Sequence, residues 1–325
     1  MTSVPVRDAA VDTAKGICIL IVICIHTEVF GVLPMPFMFV AVPMFFFMSG
    51  FFDHSSGSLS GVLAKGTRTL LWPALLWTAI GLAYSFLLTA VKGAPIDYRF
   101  NIFNACAGNG PCWFVVALFW VKALVWLLLR LRLPAVAMVV ATLVLGYVGQ
   151  NTPMPLYLRE ALAALPFYYA GKLAYPLLKD NVYAAIPSNN WGGVILLGSL
   201  FSTAFFLLGW VSLTIVPTNY GLYHPLYLVS FVAMLAVFPG VLWLSARLAR
   251  LRWLSRLGSC SLGIMLVHSP MCHTAAVVLN RVFVPGSVAW CACFLVAYVA
   301  IVLLSCWVAR VAARRIPWLL RWPAA

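Results

Sequence analysis

The sequence is short of charge and shorter still of acid. Only 9% of its 325 residues are charged, and just seven of those are acidic, against 21 Lys and Arg. Soluble domains carry about a quarter charged residues, so this chain cannot cover a water-facing surface of its size. Its 64% hydrophobic content makes lipid the natural solvent. The few acids, Asp8, Asp12, Glu28, Asp53, Asp97, Glu160 and Asp180, include none clearly at mid-bilayer depth. Ion-coupled transport relies on intramembrane acids and broken helices, so that class is disfavoured. Export of a polysaccharide or small molecule by a transporter or flippase stays as the alternative reading.

Metal-ligating patterns are lacking too. None of the nine Cys forms a CxxC pair, and most lie inside apolar runs, where Cys acts as a small hydrophobe. No metal is expected. Cys106 and Cys112 fall near a loop, and a disulfide between them is left open. No small-x-small cleavage site follows the apolar run 16–25, and Asp8 and Asp12 stand where a signal peptide would be positive. That run reads as a retained first helix.

A bilayer-crossing helix takes roughly 17–25 mostly apolar residues. Ten runs fit: 14–31, 36–52, 70–91, 111–131, 134–149, 158–178, 192–214, 223–246, 257–280 and 288–308. Pro, Gly, Asn and Ser mark the joints. The expectation is an all-α integral membrane protein of about ten transmembrane helices, a single domain over 1–325. With a cytoplasmic N-terminus, sixteen Lys and Arg fall inside, among them Arg7, Lys15, Lys65, Arg68, Arg130, Lys172, Arg252 and Arg310. Four fall outside: Lys92, Arg99, Arg159 and Arg281. A wrong span count would scramble this split, so the positive-inside rule supports ten spans with both termini cytoplasmic. The net charge of +14 then reflects topology and contact with anionic membrane lipids, and no nucleic acid is needed to explain it.

Ionisable residues at membrane depth are costly and are functional candidates by default. They are His26, Glu28, Lys122 and His268. Lys15 precedes His26 by eleven positions, about three turns, so the two share a helix face roughly 16 Å apart. Glu28 points nearly the opposite way. A cation at the mouth with an imidazole deep on one stripe suits a long substrate with an anionic head and a reactive tail, the shape of coenzyme A. Imidazole serves as a general base near neutral pH without a metal. The competing reading is a histidine that merely bonds a neighbouring helix. Lys122 is open to a substrate or oxyanion contact, or to snorkelling. Trp113 is either a stacking platform for the acceptor or an interfacial anchor. Glu160 either lines an acceptor groove or sits at a helix start favoured by the dipole. Ser49 and Gly50 lack an Asp–His relay and read better as small residues at a close helix crossing.

Asp12-Thr13-Ala14-Lys15-Gly16 and the apolar helix to His26 resemble the opening of the bacterial membrane acyltransferase family 3, with its Arg or Lys, ten residues and a His. The aromatic run closing on Ser49-Gly50-Phe51, then Lys65-Gly66-Thr67-Arg68 with Pro73 following, resemble its next two segments. Trp113-Phe114, Leu165-Pro166-Phe167 with Gly171, and Leu257-Gly258 through Ser261 to His268 continue the order. The resemblance implies transfer of an acyl group, usually acetyl from acetyl-CoA, to a hydroxyl of a glycan or lipid-linked sugar. The setting it implies is the bacterial cytoplasmic (inner) membrane. Lys15 and His26 match the first-helix motif, giving acyl-CoA binding to Lys15, Lys65 and Arg68 and the general base to His26. Trp113, Lys122, Glu160 and His268 complete the candidates as substrate-binding residues. Where some relatives place a Glu after the fourth-helix Trp, this chain has Ala117, Leu118 and Phe119. No fused esterase-like domain follows the last helix, so the stand-alone branch is the one resembled. Direct transfer is expected, since no activated Ser or Cys nucleophile is evident, with an acyl-histidine intermediate as the variant.

The charge split is testable. Reporter fusions after Lys65, Arg132, Lys179 and Arg252 should report cytoplasm, and fusions near Asp97 or Asn219 the outside. A reversed pattern at two or more sites would sink the ten-span topology.

Overall fold

The computed structural model describes residues 8–27, 35–53, 57–91, 112–178 and 227–320, which are helical apart from turns, with no strand among them. The expected seventh span, 192–214, lies outside the described residues, as do Glu28 and Cys106. Helix α1 (Ala9–His26) starts earlier than its apolar run because Asp8 caps it, accepting from the amides of Ala10 and Val11 at 3.0 and 3.2 Å. Asp12 in the first turn adds a favourable dipole contact. The helix ends at His26, with Thr27 as its cap; residues 28–31 of the expected span lie outside the described residues.

Helix α2 (Met35–Phe51) follows the second expected span. The third span gains a lead-in where the sequence suggested only a joint. Ser58 caps α3 (Leu59–Gly66), which passes through a π-helical turn at Thr67–Leu71 into α4 (Trp72–Val91). Helices α5 (Cys112–Arg130), α6 (Ala135–Asn151), α7 (Leu158–Leu178) and α8 (Tyr227–Leu248) match their spans within a few residues. The run expected at 257–280 is instead two helices, α9 (Arg252–Ser259) and α10 (Ser261–Val282), broken at Cys260. The chain then turns into α11 (Val288–Arg315) and a 3-10 turn, Pro317–Leu319. Among the described residues, five stretches are long and apolar enough to cross a bilayer: Ala9–His26, Leu59–Val91, Cys112–Arg130, Ser261–Val282 and Val288–Arg315. Leu87, Val136, Val232, Val296 and Leu303 are exposed, as lipid-facing side chains would be.

Lipid tails are as apolar as leucine, so burial alone does not drive helices together in a membrane; close packing does. Helix α2 supplies the aromatic part of that packing. Phe46 packs tilted against Phe114 of α5 at 4.6 Å, Phe47 tilted against Phe238 of α8 at 4.9 Å, and Phe51 stacks on Tyr175 of α7 at 4.8 Å. Two crossings bring backbones into contact. A methyl on Gly50 would strike the carbonyl oxygen of Tyr168, and one on Gly171 would strike that of Phe47, so α2 and α7 each present a glycine to the other. Likewise Gly16 faces the Leu254 carbonyl and Gly258 faces that of Asp12, locking α1 to α9. Pro43, Pro166 and Pro270 lie inside helices, where packed neighbours make them tolerable.

One end of the bundle is tied together by polar contacts. Trp126 and Arg130 at the end of α5 donate to the Gly57 carbonyl at 3.1 and 2.7 Å. Trp72 and Trp77 donate to the carbonyls of Trp318 and Leu319, at 2.8 and 3.0 Å. Here gather the start of α1, the end of α2, α3, the start of α4 and the ends of α5 and α11. This is the end whose basic residues the charge split assigns to the cytoplasm.

The glycine crossings give a direct test. Gly171→Ala should lower the unfolding temperature of the purified protein markedly, since overpacking costs about 1–3 kcal/mol or more. Gly81→Ala, in open space on α4, should leave it unchanged or raise it, helix propensity favouring Ala by about 1 kcal/mol. Equal behaviour of the two variants would mean the α2–α7 contact is not close.

Candidate active site

His26 is the last residue of α1 and its ring is exposed. Beside it stands His268 of α10, which is fully buried. The ring centroids are 5.1 Å apart and the planes are tilted by 55°. His268 Nδ1 lies 3.1 Å from the Ile264 carbonyl oxygen, one turn back on the same helix. A carbonyl can only accept, so Nδ1 carries the proton and Nε2 of the neutral ring keeps its lone pair. That Nε2 is buried without a hydrogen-bond partner. An unsatisfied buried acceptor costs about 1–3 kcal/mol. The two rims are close enough for a small ring rotation to bring an N–H of His26 to it. Across α1, Tyr298 of α11 donates to the Leu20 carbonyl at 3.1 Å and fixes the helix that carries His26.

At the other end of α1, the Lys15 ammonium sits over the Phe52 ring, 5.4 Å from its centre. The next residue, Asp53, receives Lys172 Nζ on its carboxylate at 2.9 Å, and its backbone carbonyl receives the same ammonium at 3.2 Å. The Gly50–Gly171 crossing creates this pair, because it lays the end of α2 against α7 one residue before Lys172. Lys122 of α5 lies within electrostatic range of both Asp53 and Lys65. It is brought there by Phe119, one turn away, which packs over Gly66; a methyl on that glycine would come to 2.7 Å from the ring. Arg68 is exposed in the π-helical turn, a local widening frequent at functional sites. The hydroxyl of Tyr168, fully buried on α7, lies beside Asp53.

The structure thus gathers the expected residues into two groups. His26 meets His268, while Lys15 lies over Phe52 and Lys122 lies within electrostatic range of Asp53 and of Lys65. Trp113 packs edge-on to Phe114 at 6.1 Å, and Glu160 is buried beside Arg159, 4.0 Å away. Asp53, Tyr168 and Lys172 enter the cationic group although the sequence reading gave them no role there. Asp53 is an acid at the inner end of an aromatic helix, and Lys172 directly follows a crossing glycine; that combination was the available signal. Two apolar cavities, of about 420 and 530 Å³, lie elsewhere: one is lined by Thr78, Phe119 and Trp120, the other by Trp253, Tyr298 and Trp307. None of the eight expected site residues lines either. Cys112 is a free thiol, and Ser49 Oγ is engaged with the Phe45 carbonyl at 2.7 Å, the bond expected of a small packing residue.

A family model described as an acyltransferase domain, that of acyltransferase family 3, matches residues 8–310. No curated protein and no solved structure matches the chain. The family match spans nearly the whole sequence, and the chain belongs to acyltransferase family 3.

Proposed function

We propose that this membrane acyltransferase moves an acyl group, acetyl in the first instance, from acyl-CoA to a hydroxyl of a glycan or lipid-linked sugar at the bacterial inner membrane. The observation that carries the reading is the paired imidazoles at one end of a helix whose other end holds a cation cluster. Lys15 and His26 keep one face of α1 at a separation, about 16 Å, that a pantetheine arm can bridge. In this reading the phosphates of the donor rest on Lys15, Lys65 and Arg68. Lysine acts there as a point charge, and Arg adds forked hydrogen bonds.

The reaction needs only groups at hand. The acceptor oxygen attacks the thioester carbonyl carbon while its proton passes to His26. The tetrahedral intermediate collapses with cleavage of the carbon–sulfur bond. The proton held by His26 then goes to the departing thiolate, leaving an ester, free CoA and a neutral imidazole. His268 acts as a positioning residue. By accepting the N–H of His26 on its unpartnered Nε2, it would turn the other nitrogen of His26, with its lone pair, towards the acceptor. Direct attack is favoured because Ser49, the one candidate serine, is committed to the Phe45 carbonyl.

His26→Ala should lower the rate by about 10²–10⁴-fold while the protein still inserts and still binds CoA; a variant keeping more than about a tenth of the activity would reduce His26 to a packing residue. His268→Gln can place an acceptor oxygen where Nε2 stood, and His268→Phe cannot. The Gln variant should therefore retain more kcat than the Phe variant, with little change in KM for the donor, and equal losses would exclude a positioning role. For the donor, Lys15→Ala should weaken acyl-CoA binding and Lys15→Arg should largely preserve it. Unchanged binding of a CoA analogue to the Lys15→Ala and Arg68→Ala variants would overturn the donor assignment.

A further inference from the structure

The apolar cavity of about 530 Å³ is a groove between α9 and α11 on the outside of the bundle, and nothing in the reaction uses it. Tyr298, Val302, Cys306 and Arg310 of α11 line it at every fourth position, the ridge spacing of a helix surface. Trp253 and Arg256 of α9 and Leu20 of α1 complete its character. Tyr298 and Arg310 are separated by about 18 Å along the helix axis, close to one leaflet of a hydrocarbon core roughly 30 Å thick. One end of the groove is apolar and closes where Tyr298 donates to the Leu20 carbonyl at 3.1 Å. The other end carries both guanidinium groups. Leu254 and Gly258, on either side of Arg256, meet α1 at Gly16 and Asp12, so Arg256 stands nearer the start of α1 than Leu20 does. Arg310 belongs to the last turns of α11. This is the end that the charge split assigns to the cytoplasm. Neither arginine is paired with an acid among the described residues, and no acid among them lines the groove. The acids of the facing helix are engaged elsewhere: Asp8 accepts from the amides of Ala10 and Val11, and Asp12 is buried with its carbonyl against Gly258.

We propose that this groove holds an anionic phospholipid of the cytoplasmic leaflet, its phosphodiester between Arg256 and Arg310 and one acyl chain along α11 towards Tyr298. Basic pockets between membrane helices on the cytoplasmic side take such head groups. Each guanidinium can fork a phosphate with paired hydrogen bonds. Trp253 is 55% exposed and suits the boundary between head groups and chains. A second copy of this chain is the poorer occupant, because none of the described acids, Asp8, Asp12, Asp53 and Glu160, is exposed to meet two arginines. Leu20 follows Lys15 by five positions, about 140° around α1, so the groove opens on a face turned away from the Lys15–His26 stripe. It is a separate site, and it does not depend on the donor reading above. A lipid seated there braces α1 through Leu20 and Tyr298, which couples the surrounding leaflet to the helix that carries His26. The competing account makes both arginines ordinary interfacial charges over a groove that any lipid fills.

Native mass spectrometry of the full-length protein, titrated in detergent with phosphatidylglycerol or with phosphatidylcholine of equal chain length, separates these accounts. One phosphatidylglycerol should be retained at concentrations where phosphatidylcholine is not, and equal retention of the two would overturn the proposal. Arg256→Gln and Arg310→Gln should each weaken retention about tenfold, the scale of one lost hydrogen bond to a charged group. Arg252→Gln and Arg315→Gln remove the same charge from exposed positions outside the groove and should change nothing. Equal losses in both sets would reduce the effect to surface charge and sink the site. Leu303→Trp, at an exposed position of the lining, should weaken the lipid by filling the path of its chain. Glycerol 3-phosphate that displaced the lipid at like concentration would show that a head group alone suffices, against the proposal. Dimers that part in the Arg256→Gln variant would make the groove a contact between two copies, also against it. Unfolding temperatures in phosphatidylcholine nanodiscs should match across wild type and variants, which keeps a lost lipid distinct from a lost fold.

Discussion

Close backbone contact at glycine is the constraint on which the rest of this structure depends. In water, helices would be driven together by burying their apolar faces. In lipid that drive is missing, and what remains is packing and polar contact between helices. The chain answers with two reciprocal crossings, Gly50 with Gly171 and Gly16 with Gly258, in which each helix offers a missing side chain to the other's carbonyl. The aromatic hub around Phe46, Phe47 and Phe51 fills the space those crossings define. Both halves of the candidate site inherit their geometry from them. The α2–α7 crossing sets Asp53 on Lys172, and the α1–α9 crossing holds the helix that carries Lys15 and His26.

The two halves divide the chemistry by depth. Cations collect where several helix ends meet, a place where lysine stems can cross apolar surface and still reach polar surroundings. The imidazoles stand at the far end of α1, His26 exposed and His268 buried, and a neutral group is cheaper to bury than a charged one. A long substrate with a charged head and an uncharged reactive end fits this polarity without any group having to cross it. A metal or a second nucleophile is not needed for the reaction as drawn: the proton leaves the acceptor for His26 and returns on the thiolate.

Much of this was legible in the sequence, for reasons that can be named. Membrane helices must satisfy their own backbone hydrogen bonds, so long apolar runs translate almost directly into elements, and α4 to α8 fall where the runs lie. The exceptions arose where polar residues extend or interrupt a helix. Asp8 and Asp12 start α1 before its apolar run, Ser58 starts α3 inside an apparent joint, and Cys260 splits a run that looked continuous. Helical spacing was enough to place Lys15 and His26 on one face, because both lie on a single element. It could not disclose that His268 of α10 meets His26, or that Lys172 of α7 meets Asp53. Those pairs join segments far apart in sequence, and only the crossing angles of the helices decide them. Trp113 packs edge-on to Phe114 and Glu160 lies beside Arg159, contacts between sequence neighbours that helical spacing alone could foresee.

Native interiors leave few polar atoms without partners, and each exception calls for a physical explanation. Among the described residues two buried side-chain atoms are orphaned, the Tyr168 hydroxyl and His268 Nε2. They belong to the two different ends of the candidate site, one a donor beside the lysines and the other an acceptor beside His26. An error of packing would have no reason to choose those places. Local consistency breaks down most readily at functional positions, and here it breaks at Tyr168 of α7 and His268 of α10.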